Sequence, residues 1–146
     1  MKAMRFVTYG LLGGLLTACG GTPATTAASS PSPTGTVVVV TKTDATHGTF
    51  LVAASNQMTL YTFNKDTPGV SNCSGACLKN WPALSVTAGT AIAAGPAITG
   101  QLSTIIRADG PTQVTYKGLP LYFFYKDVAV GDVMGSPNAN WELAKP

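Results

Sequence analysis

The feature that most constrains this fold is an aromatic phrase that occurs twice. Thr59-Leu60-Tyr61-Thr62-Phe63-Asn64-Lys65-Asp66 aligns with Pro120-Leu121-Tyr122-Phe123-Phe124-Tyr125-Lys126-Asp127. A tryptophan follows each copy at nearly the same distance. Trp81 lies twenty residues after Tyr61, and Trp141 nineteen after Tyr122. Two copies are too few for a solenoid, so the segments near 47–84 and 112–144 are expected to pack as a pseudo-symmetric pair.

The rest of the chain supports a mainly β fold of antiparallel hairpins. Val37 to Thr41 is a β-branched run, and Thr49–Ala53 and Thr59–Phe63 flank a turn at Ala54–Met58. Leu102–Arg107 is another strand, closed by Ala108-Asp109-Gly110-Pro111. Gln113–Tyr116, Lys117-Gly118 and Leu121–Phe124 form a further hairpin. Trp141–Ala144 is placed to close the sheet. One short helix is expected near Cys73–Cys77, over Ser74–Asn80, and the Ala/Gly-rich stretch from Val86 to Gly100 is a loop or weak helix.

The N-terminus carries an address. Lys2 and Arg5 precede an apolar run from Phe6 to Leu16, and Leu16-Thr17-Ala18-Cys19 follows. A signal peptide over 1–18 has this layout. The cysteine after small residues resembles a bacterial lipobox, with Cys19 as the lipidated first mature residue. The apolar run is shorter than the roughly 20 residues a span requires. Gly20–Gly35 has no charge and no aromatic residue, so residues 19–35 form a lipidated tether with a reach of about 20–25 Å. A single domain occupies 36–146. Beyond the cleavage site, seven basic and six acidic residues leave a charge of +1. That excludes the basic patch nucleic acid needs and leaves acyl chains as the link to a membrane. The expected place is the periplasmic or surface face of a bacterial envelope.

The two phrases, with Cys73-Ser74-Gly75-Ala76-Cys77, Trp81-Pro82-Ala83-Leu84 and Arg107-Ala108-Asp109-Gly110, resemble a secreted-repeat lipoprotein family of unknown function. Its motif is Tyr-x-(Phe/Trp/Tyr)-x-x-Asp, matched by Tyr61, Phe63 and Asp66 and again by Tyr122, Phe124 and Asp127. Ala83 departs from the family's usual Trp-Pro-Pro-Leu. The resemblance implies an exported, often lipid-anchored β domain and no particular reaction.

The motif has two readings. Tyr61 and Phe63 share one face of a strand, as do Tyr122 and Phe124. They form either a core, with each aspartate in an Asx-turn, or, with Trp81 and Trp141, an aromatic face for a ligand. Cys73 and Cys77 close a tight loop, favoured as a disulfide of about 2 kcal/mol. The alternative is a redox dithiol or a Cu(I) site with His47, Met58 and Met134 as further donors. A calcium loop from Asn64 and Asp66 is disfavoured because Pro68 and Gly75 occupy ligand positions, and calcium at Asp127 and Asp132, which flank a Gly-containing loop, is a further weak option. No catalytic constellation emerges: His47 has no nucleophile elbow near it. The expected function is a non-enzymatic envelope lipoprotein that binds or organises an extracytoplasmic ligand or partner, with redox or copper handling as the alternative.

Overall fold

The computed structural model describes residues 34–146; the signal segment, Cys19 and most of the tether lie outside the described residues. The chain is mainly β. Its strands are β1 (Thr36–Asp44), β2 (Gly48–Ala53), β3 (Tyr61–Phe63), β4 (Ser85–Val86), β5 (Ile92–Ala94), β6 (Leu102–Ile106), β7 (Thr112–Tyr116), β8 (Leu119–Pro120) and β9 (Trp141–Leu143). One helix, α1 (Ala76–Asn80), follows the first motif.

The strands form three small sheets, ordered β2-β1-β5, β3-β9, and β4-β7-β6 with β8 also on β7. All pairings are antiparallel except β1 with β5. That parallel strand corrects the expectation of loop or helix for 86–100. Ile92–Ala94 is weak by propensity and extends because the β1 edge offers it partners, with Thr36 opposite Ile92. Leu121–Phe124 likewise forms no continuous strand. It crosses between sheets, with Tyr122 bridged to both Tyr61 and Ala83. The Lys117-Gly118 turn is tight because both residues hold positive φ, 50° and 83°, as a type I′ hairpin turn demands.

Hydrogen bonds reveal an internal pseudo-dyad. Tyr61 N–H donates to Tyr122 O (2.8 Å) and Tyr122 N–H returns to Tyr61 O (3.0 Å). Around this pair each bond has a mate. Leu60 to Leu51 matches Leu121 to Val114, Ala144 to Leu60 matches Leu84 to Leu121, and Asn64 to Asn140 matches Tyr125 to Asn80. Each tyrosine strand therefore pairs with the tryptophan segment of the other repeat. The main core follows the same mixing: Leu51, Leu60 and Leu84 of one repeat pack with Val114, Leu121 and Ala144 of the other.

Candidate functional site

The motif residues converge on the pseudo-dyad. Four rings stack in palindromic order, Phe63, Trp141, Trp81, Phe124, with centroids 4.4, 3.7 and 4.4 Å apart. Tyr61 meets Trp81 edge-on at 5.3 Å, and Tyr122 meets Trp141 edge-on at 5.1 Å. Such pairs contribute about 0.5–1.5 kcal/mol each beyond area burial. Gly135 sits against this block. A Cβ there would lie 2.8 Å from both the Trp81 and Tyr61 rings, so only glycine fits without displacement.

Each motif aspartate serves the tyrosine of the other repeat. Tyr122 donates its phenol to Asp66 Oδ2 (2.7 Å), and Tyr61 donates to Asp127 Oδ2 (2.7 Å). The second carboxylate oxygens accept backbone N–H groups, Asn72 for Asp66 (2.6 Å) and Met134 for Asp127 (2.9 Å). These are longer connections than the Asx-turns expected. Burial raises the pKa of both aspartates, opposed by the tyrosine hydrogen bonds. Burial and the neighbouring carboxylates raise both phenols as well, so they stay protonated donors.

The two latches have different surroundings. Ser71 Oγ lies 2.7 Å from the Tyr122 oxygen; because the phenol proton goes to Asp66, the serine donates this bond. Arg107, 6 % exposed, donates to Ser71 Oγ (2.6 Å), Gln113 Oε1 (2.7 Å), Cys73 O (2.7 Å) and Asp109 (2.8 Å). At the other latch Gly135 N–H donates to the Tyr61 oxygen (3.2 Å). Asp132 there accepts the N–H groups of Val128 and Ala129. The roles of Arg107, Ser71 and Gln113 escape the sequence pattern. A signal existed in part: Arg107 is the only arginine after Arg5.

These positions overturn one reading. Tyr61 and Tyr122 are 0 % exposed, and Trp81, Phe124 and Trp141 are buried with them. The rings are a core and not an open ligand face; only Phe63 is part-exposed. The copper set is not assembled either. Cys73 and Cys77 are joined in a disulfide with Cα atoms 5.3 Å apart. His47 instead bonds Asp44 through Nδ1 (3.0 Å). Among the described residues no group of three or more His, Cys, Asp or Glu is placed to hold a metal ion. Asp127 and Asp132 are likewise occupied by tyrosine and backbone donors. No helix among the described residues is long and apolar enough to cross a membrane.

The open feature lies beside this core. A groove of about 650 Å³ is lined by His47 at the β1–β2 tip, Lys117 and Leu119 at the β7–β8 tip, Thr62 on β3, and Glu142 and Leu143 on β9. Lys145 also lines it and donates from Nζ to His47 O (3.3 Å), while Glu142 accepts from Asn64 Nδ2 (3.2 Å). Lys117 Nζ stands 5.1 Å over the Tyr116 ring. The groove thus presents two lysines and one carboxylate, with Leu119, Trp141 and Leu143 also in its lining. A smaller cavity of about 200 Å³ opens near Met58, Phe123 and Asp127.

A family model described as "Secreted repeat of unknown function" matches residues 41–85 and again 103–145, more than half of the chain. Its two matched segments coincide with the two halves related by the pseudo-dyad. No curated protein and no solved structure matches the chain.

Proposed function

Because the chain belongs to this family of secreted repeats and is therefore exported, we propose that it is a non-enzymatic binding domain of the cell envelope, lipid-anchored through Cys19. The observation that carries this is the contrast between the sealed motif core and the groove beside it. Every buried side-chain polar atom among the described residues has a partner, so the core is committed to holding the fold. The groove combines volume, apolar and hydroxyl side chains and a few charged groups, as binding sites do. The Cys73–Cys77 bond ties the segment that supports Tyr122 and acts as a staple.

The test is nuclear magnetic resonance of the full chain in detergent, titrated with defined short peptides and with peptidoglycan oligosaccharides. Saturable shifts shared by the amides of Thr62, Lys117, Glu142 and Leu143 are expected with one of these classes. If both classes leave those amides unmoved, the groove is not a binding site and the proposal falls. For the anchor, Cys19→Ala is expected to abolish incorporation of labelled palmitate; unchanged labelling would refute it.

A further inference from the structure

The groove runs along a strand edge, and that edge specifies a ligand chemistry. β9 has β3 as its only strand neighbour among the described residues. In the antiparallel ladder Thr62 stands opposite Glu142, and the flanking bonds, Asn64 to Asn140 and Ala144 to Leu60, use even-numbered residues of the β9 segment. Alternation then turns the backbone of Trp141 and Leu143 away from β3. Trp141 N–H is taken by Asn138 O (2.9 Å). The Trp141 carbonyl and both backbone groups of Leu143 have no backbone partner among the described residues. Residues from both faces of β9 line the groove, Glu142 from one and Trp141 and Leu143 from the other, so the cavity passes along this edge. Unpaired alternating donors and acceptors at strand spacing are what an extended polypeptide matches in register.

Charge narrows the choice further. Lys117 and Lys145 border the groove and outnumber Glu142, its one carboxylate among the lining groups, so these side chains leave a net positive charge at neutral pH. Thr46, Thr62 and Ser136 supply neutral hydroxyls. We infer that the groove takes an extended, acidic polypeptide segment that adds to the free edge of β9. Its backbone pairs with Trp141 and Leu143, and its carboxylates meet Lys117 and Lys145. The paired stretch is short, about 10 Å for the three residues of β9, so the lysines carry much of the selectivity and the binding weakens with added salt. This inference rests on the groove being the binding site.

The experiment selects a randomised heptapeptide library on the immobilised full chain, then measures chosen peptides by fluorescence anisotropy. Three results are expected. Selected peptides are enriched in Asp and Glu. Backbone N-methylation at alternate positions lowers affinity at least tenfold in one register and little in the other. The surface variant Lys117→Glu/Lys145→Glu loses at least tenfold affinity while keeping its melting temperature. Selection without acidic enrichment, or affinity indifferent to N-methylation in both registers, overturns the strand-addition inference. Should oligosaccharides alone shift the groove amides, the inference falls and the groove remains a binding site. Should no probe shift them, both fall.

Discussion

The latch at Tyr122–Asp66 and the latch at Tyr61–Asp127 share one geometry and are built from different materials. The hydrogen bonds of Leu51 and Val114 are counterparts, which puts Phe50 in the register position of Gln113 and Asp44 in that of Arg107. On the Tyr122 side these positions hold a buried guanidinium and an amide, linked through Ser71 to the phenol. On the Tyr61 side they hold a fully buried phenyl ring and a turn aspartate that bonds Thr46, His47 and the imidazole. The motif therefore specifies the tyrosine–aspartate contact and leaves its support open. One copy is braced by a polar network tied to a disulfide, the other by apolar packing and backbone N–H groups.

The largest break in this comparison is expected at Arg107. Arg107→Leu strips partners from Ser71, Gln113 and the Cys73 carbonyl at once and should cost about 3–5 kcal/mol in urea denaturation. Its register counterpart Asp44→Leu loses turn hydrogen bonds at a part-exposed site and should cost about 1 kcal/mol. Equal losses would mean that the network is not what distinguishes the two sides. Next come the phenols. Tyr122→Phe and Tyr61→Phe each remove a hydrogen bond to a carboxylate, worth about 1.5–3 kcal/mol. Each also strands a donor, Ser71 Oγ at Tyr122 and the Gly135 N–H at Tyr61. Tyr61→Phe should be the costlier because the buried backbone N–H cannot turn to another acceptor, whereas Ser71 Oγ can turn to the Cys73 carbonyl (3.4 Å). Calorimetry of both variants ranks them, and the reverse order would refute that account.

The disulfide should act on one side only. Cys73→Ser/Cys77→Ser is expected to cost about 2 kcal/mol. Hydrogen exchange should quicken at the Asn72 amide, which caps Asp66, and stay unchanged at Met134, which caps Asp127. Exchange quickening equally at both amides would show that the staple serves the whole domain. The smallest effect concerns pH. Burial raises Asp66 and Asp127, so the folded state holds their protons more tightly than the unfolded chain does. Their contribution to stability is full below ordinary carboxylate values and declines as pH rises from about 4 through the folded-state values. Asp44, Asp109 and Asp132 are lowered by hydrogen bonds and act in the opposite sense at more acidic pH. Asp127→Asn should flatten the decline above pH 4 seen by thermal melting. A wild-type stability that climbs through this range, unchanged by the substitution, would contradict the assignment.

Much of the architecture was legible in local pattern. The repeated phrase announced two related halves, and β-branched runs announced β1, β2, β6 and β7, because alternation and turn chemistry act over a few residues. What crosses between the halves was not legible. Nothing in Tyr61-x-Phe63-x-x-Asp66 states that the tyrosine seeks the aspartate near residue 127 and not its own. Arg107 reads as the last residue of a strand, since burial of a guanidinium depends on acceptors from Ser71, Cys73 and Gln113, brought there by the fold. β5 was missed for the same reason: its partner supplies the order that Ile92-Ala93-Ala94 lacks. The groove was invisible because its lining comes from hairpin tips and strand ends far apart in the chain.

The exchange of tyrosine and aspartate between the halves carries a further consequence. A solitary repeat has a phenol with no carboxylate to receive it, a tryptophan with no second ring to stack on, and a strand with no mate across the dyad. Two separate molecules of such a repeat would meet every one of these needs by associating, as a symmetric homodimer does. Joining them in one polypeptide replaces a concentration-dependent encounter with a tethered one at high effective concentration. Once joined, the two sides no longer had to remain identical. One side carries a guanidinium brace and a disulfide, and the other a β9 edge that no second strand covers among the described residues.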